Sequence, residues 1–92
     1  MARDTKHIML PQVNLNGTSA EALLRQYTQA ADALRVAVNA FVDVTPHGRD
    51  YQTLPDGSYA VAREQHRAHL INLDAALAYA EALANSIINP EG

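Results

Sequence analysis

No cysteine and no tryptophan occur among the 92 residues, and phenylalanine occurs once. Without cysteine there is no disulfide to staple a small fold and no thiolate for catalysis, and the absence fits a reducing compartment. With so few large aromatics, the 48% apolar content rests heavily on alanine. A single copy then has a thin core, at about 25 cal/mol per Å² of apolar surface buried. Long apolar runs are also missing. Ile8, Met9 and Leu10 meet Pro11, so no signal peptide is expected, and no stretch approaches the roughly 20 apolar residues that cross a bilayer. Basic charge is scarce as well: seven Lys and Arg stand against ten Asp and Glu, a formal net charge of −3. Duplex nucleic acid needs a basic face that this chain does not supply. A small anion held by two or three arginines is compatible with the same composition.

What is present is helical periodicity. Ser58 to Ile88 contains no proline or glycine and reads as one helix of about 45 Å. Leu70, Leu73, Leu77, Ala80, Ala84 and Ile87 recur three and four apart, the pattern of a packed seam. Followed towards the N-terminus, that seam reaches His66, Arg63 and Tyr59 as inward positions. A first helix is predicted over 18–44, opened by a capping box of Thr18 and Glu21. Its seam is Leu24, Tyr27, Ala31, Leu34, Val38 and Phe41. Between Ala33 and Val44 only Arg35, Asn39 and Asp43 are polar. Val36, Ala40 and Val42 therefore lie outside any seam that one partner helix covers.

Thr45-Pro46-His47-Gly48 stops the first helix, and 45–57 form a long loop with a second turn at Pro55-Asp56-Gly57. Residues 1–15 read as an extended or loose arm, because Val13 and Leu15 alternate with polar residues and no partner strand is evident. The whole chain, 1–92, is one all-α domain. It is expected to be a two-helix antiparallel hairpin with a short extended N-terminal segment, assembling into an oligomeric helical bundle, most simply two hairpins making a four-helix bundle.

Antiparallel packing gathers His47, Arg49, Asp50 and Tyr51 of the loop with Tyr59, Arg63 and His66 of the second helix at one pole. Arginines bind anions, and Tyr and His rings stack or hydrogen-bond, so these residues are candidates for a ligand pocket. They also admit a plainer reading, in which Asp50 or Asp43 pairs with Arg63 or Arg49 and pins the loop. Asn16-Gly17-Thr18-Ser19 presents free N–H groups and hydroxyls at a helix start, which suits a phosphate or carboxylate, or simply a turn and a cap. This motif lies about 39 Å away along the first helix. The two meet only if the loop of one chain approaches the helix start of another. His66 and His69, with His47 near, lack a carboxylate at a ligating spacing, so no metal and no cofactor are expected. With neither a nucleophile elbow nor paired carboxylates, no enzyme is expected.

The combination of Asn16-Gly17-Thr18-Ser19, an Ala- and Leu-rich helix, Gly48-Arg49-Asp50-Tyr51, and a second helix carrying Arg63, His66 and Arg67 resembles a family of small phage and prophage helical-hairpin proteins. The resemblance spans Asn14 to Leu83. In that family N-G-T-S opens the first helix and a G-R-D-Y-type loop leads to the second. Gln52 departs from the pattern, which often has a further aromatic there, and this weakens a stacking role at that position. The resemblance implies a phage context in the bacterial cytoplasm and no defined activity. Phages encode compact oligomers that blunt host defence, some by sequestering cyclic nucleotides. The leading expectation is a non-catalytic accessory or anti-defence homo-oligomer acting on a host or phage protein through its helical surface. The alternative is sponge-like capture of an anionic ligand such as a cyclic nucleotide at the loop pole.

Overall fold

The computed structural model describes residues 8–89, and among them two long helices lie side by side with no strand. Helix α1 is Ala20–Asp43 and helix α2 is Ser58–Ile88, with a 3₁₀ turn at Gly48–Tyr51 between them. The hairpin is a rod of 62 × 23 × 19 Å with a radius of gyration of 18.2 Å. A compact chain of this length would have a radius of about 12 Å. The extended arm expected over 1–15 is described from residue 8 onward, where it is non-helical. The part at 1–7 lies outside the described residues.

The start of α1 differs from the expected capping box. Ser19, not Thr18, is the N-cap: its backbone is extended and its Oγ accepts the Ala22 N–H at 3.1 Å. Asn14 sets this register. Its Oδ1 accepts the Asn16 N–H at 3.0 Å, and its carbonyl accepts the Gly17 N–H at 3.2 Å, which closes a turn over residues 14–17. Thr18 and Ser19 then bridge that turn to the helix, and only Ser19 sits where a hydroxyl reaches the first free N–H groups. At the far end, Thr45 closes α1 by donating both its N–H and its hydroxyl to the Val42 carbonyl, at 3.1 and 2.6 Å.

Helix α2 begins where the sequence predicts. The Ser58 N–H bonds the Pro55 carbonyl at 3.1 Å, and Gly57 adopts φ +90°. The third position of such a type II turn needs a residue free of a Cβ penalty.

The seams also fall as predicted through most of their length. Ala31, Leu77 and Ala80 form the buried cluster, Leu34 and Val38 pack on it, and Leu83 is the other buried side chain among the described residues. Arg63 is a correction. It is exposed rather than inward, because at that height the inward positions of α2 are taken by Tyr59, Ala62 and His66, and a charged head finds water more cheaply than a seam. Arg35 adds a polar clamp across the seam. It donates to Asp32 at 2.8 Å and to Glu81 of α2 at 2.9 Å. These bonds, Glu81 first and Asp32 second, raise the guanidinium pKa above its ordinary value.

Much apolar surface is left uncovered. Val36 is 69% exposed, and Ala30, Ala33, Ala37, Ala40 and Val44 are exposed at spacings of three and four along the outer face of α1. Val61, Ile71 and Tyr79 are exposed on α2. The chain presents 7188 Å² to solvent, where a compact 10.0 kDa monomer presents about 5,200 Å².

Ser19→Ala is expected to lower unfolding stability by about 1 kcal/mol, the usual loss of an N-cap hydroxyl, while Thr18→Ala leaves it within about 0.5 kcal/mol. Paired denaturant titrations check this. The reverse order would restore the Thr18 cap.

Candidate functional site: the loop pole

Pro46 and Gly48 keep the chain from continuing α1, and the 3₁₀ turn Gly48–Tyr51 folds back onto the start of α2. The Asp50 N–H closes the turn on the His47 carbonyl at 3.0 Å, and the Leu54 N–H bonds the Tyr51 carbonyl at 3.2 Å. Gly48 lies beside the Tyr59 ring: a Cβ there would sit 3.9 Å from it. The turn delivers Tyr51 to Tyr59, with ring centroids 6.1 Å apart and planes tilted by 48°. Above Tyr59 stands the Arg63 guanidinium, 5.4 Å from the ring centroid, within cation–π range. Tyr51, Tyr59 and Arg63 thus form one contiguous group, with Arg49 exposed on the turn that carries Tyr51.

The pairing of Asp50 or Asp43 with Arg49 or Arg63 does not occur. Among the described residues the ion pairs are Arg35 with Asp32, Arg35 with Glu81, and Arg67 with Glu64 at 3.3 Å. At the α2 terminus beside this group, Gly57 offers no side-chain cap and the first turn holds no acidic residue, while the Ser58 N–H is taken by the Pro55 carbonyl and Asp56 stands just before the helix. An open depression of about 460 Å³ lies at the start of α2, lined by Tyr51, Asp56, Ser58, Val61, Ala62 and Gln65, and of the Tyr51–Tyr59–Arg63 group only Tyr51 reaches it.

His66 takes a different part. Its ring stacks on Phe41 at 4.4 Å between centroids and 8° between planes, and its Nε2–H donates to the Phe41 carbonyl at 2.7 Å. That carbonyl belongs to the last turn of α1 and also accepts the Val44 N–H at 3.2 Å. His66 therefore ties the end of α1 to α2, with its edge engaged. His47 is exposed at the entry of the 3₁₀ turn. Asn16, Thr18 and Ser19 lie at the opposite pole, separated from the loop by the 24 residues of α1, about 36 Å. Asn16 and Ser19 are engaged in the turn and cap described above. Phe41 reads from the sequence as a seam residue and Ser58 as the start of α2, and neither they nor Gln65 were expected at the loop-pole site. A backbone carbonyl leaves no trace in residue pattern, and Ser58 and Gln65 look like ordinary helix-surface residues.

No protein-family model matches the chain, and neither a curated protein nor a solved structure matches it.

His66→Ala is expected to cost about 2 kcal/mol, the sum of a lost hydrogen bond and a lost ring stack, and to lower Tm by roughly 8–16 °C. Arg63→Ala, which removes only an exposed cation–π contact, is expected to cost under about 1 kcal/mol. Thermal denaturation of the two variants separates them, and equal losses would make Arg63 structural.

Proposed function

We propose that the chain is a non-catalytic binding protein that, assembled with further copies of itself, captures an anionic small ligand of the nucleotide class at the loop pole. The observation that carries this reading is a cationic and aromatic group left without carboxylate partners: Arg49 and Arg63 beside the Tyr51–Tyr59 pair. A nucleotide carries the two features such a group recognises, a phosphate for guanidinium and helix N-terminal N–H groups, and a base for a tyrosine face. Asp43, Asp50 and Asp56 share the pole, so the attraction is local, from directed donors. Capture without turnover also suits the phage context implied by the resemblance, where removing a host signal is enough.

Assembly is supported by the uncovered apolar faces of both helices. Those faces also favour a second reading, in which the helical surface acts on a host or phage protein. Arg49 and Arg63, which form no ion pair, support ligand capture as the first reading, because an interaction through Val36, Ile71 and Tyr79 gives them nothing to do.

A thermal-shift panel of mono-, di- and cyclic nucleotides tests the proposal. A ligand at a hundredfold excess over its Kd adds about 2.7 kcal/mol, a plain shift in a domain of this size. The shift is expected to shrink with salt and to vanish in Arg49→Ala and Arg63→Ala without change of assembly state. A flat panel on assembled protein would turn the choice to the protein-partner reading. Val36→Asp is expected to split the assembly or unfold it, because a charge would enter a dry interface. A Val36→Asp variant with unchanged mass in light scattering and unchanged stability would remove this face from the interface.

A further inference from the structure

Asn16 and Gly17, which the loop-pole reading leaves unused, form the only Asn-Gly pair in the chain. They stand in the turn that precedes α1, and both are exposed. An asparagine followed by glycine carries an intrinsic reaction. The glycine amide nitrogen, once it gives its proton to hydroxide, can attack the side-chain carbonyl carbon of the asparagine. A new C–N bond closes a five-membered imide, and the side-chain amide nitrogen leaves as ammonia. Water then opens the imide at either carbonyl, to aspartate or isoaspartate. Glycine favours the reaction because no Cβ crowds the attacking nitrogen. We propose that Asn16-Gly17 is a site of spontaneous deamidation and that Asn14 sets its rate.

The other asparagines are held away from this chemistry. Asn39, Asn72 and Asn85 lie within α1 and α2, where the next N–H is tied into the helical ladder. Asn89 precedes Pro90, which has no N–H. Asn14 precedes the bulky Leu15, and its own amide is engaged: Oδ1 accepts the Asn16 N–H at 3.0 Å, and Nδ2 donates to the Gln12 carbonyl at 3.2 Å.

In the folded chain the Gly17 nitrogen is restrained. Its N–H donates to the Asn14 carbonyl at 3.2 Å. The Asn14 amide also lies against the glycine, where an added Cβ would come 3.2 Å from Nδ2 and 3.4 Å from Oδ1. Attack needs that N–H released, deprotonated and turned towards the Asn16 side chain, so the turn must open first. The rate is then that of the open turn multiplied by the fraction of time it is open. One exposed turn hydrogen bond restrains only weakly, so the reaction is slowed and not blocked. Either product places a carboxylate near the positive end of α1, where negative charge is favourable. Isoaspartate also adds one carbon to the main chain inside the 14–17 turn, which can no longer close on the same bond. That turn carries the arm back across the helix ends, where Leu10, Pro11 and Val13 line a cavity with Ala20 and Ile87. The reaction is a one-way, time-dependent change in how the arm enters α1.

Full-length protein held in mildly alkaline buffer, folded or in urea, and digested at intervals for mass mapping tests this. Asn14→Ala and Asn16→Gln chains run alongside, with circular dichroism to confirm that their helices remain. The folded protein is expected to show the mass gain of an amide turned into an acid, confined to the Asn16 peptide. Asn16→Gln is expected to lack it, because the longer side chain disfavours the ring. Asn14→Ala is expected to gain it about fivefold faster, the factor of one ordinary turn hydrogen bond, and so to approach the wild-type rate in urea. Ring closure at Asp56-Gly57 returns a product of unchanged mass, so the gain reports asparagine alone. No gain at Asn16 in folded or unfolded protein overturns the proposal, as do equal gains at Asn39, Asn72 or Asn85 in the folded chain. A rate unchanged or lowered by Asn14→Ala overturns the control assigned to Asn14.

Discussion

A helix packed against one neighbour buries one stripe, and in this chain that stripe is built mostly of alanine and leucine. Ala31, Leu77, Ala80 and Leu83 are the buried side chains among the described residues, and none is sealed completely. Two leucines contribute about 2 kcal/mol each on burial, and alanine much less, which is little against the conformational entropy of ordering two long helices. The Arg35 clamp to Glu81 fixes the register of the helices but is half exposed and adds little stability. The remaining apolar surface faces outward on both helices. A seam this slight, with so much apolar surface outside it, is what supports our proposal that further copies cover the helices.

At the loop pole, packing and exposed charge divide among neighbouring residues. His66 has both its ring face and its edge engaged with Phe41, which holds the end of α1 against α2. That fixed base lets the 3₁₀ turn rest its Tyr51 on Tyr59, and Tyr59 in turn supports Arg63. Arg49 and Arg63 form no ion pair with Asp43, Asp50 or Asp56, although Asp56 lines the depression at the start of α2, which Gly57 begins without a capping side chain. Glycine at this turn therefore has two consequences: the chain can adopt φ +90°, and α2 begins without a side-chain cap.

Periodicity made most of the fold readable before the structure. Leu24 to Phe41 and Leu70 to Ile87 turn inward as their spacing implies, and Pro55-Asp56-Gly57 places the start of α2 to the residue. Two readings failed for physical reasons that spacing does not contain. The cap moved from Thr18 to Ser19 because the Asn14 side chain builds a turn first. Arg63 sits at a seam position by count, yet near a helix end the seam is open and a long side chain swings out onto Tyr59. The grouping of Tyr51, Tyr59 and Arg63 was legible from antiparallel packing, whereas the distinction between Arg63 and His66 was not. That distinction depends on a carbonyl, which no residue letter records.

We propose that folding depends on a second copy, and the unfolding midpoint as a function of protein concentration tests this most directly. If copies supply the missing cover, stability and protomer concentration are inseparable. The midpoint then climbs steadily between about 1 and 100 µM, with roughly 1.4 kcal/mol gained per tenfold step for a dimer. A midpoint that stays fixed across that range, with a monomer's mass at its upper end, would contradict the account.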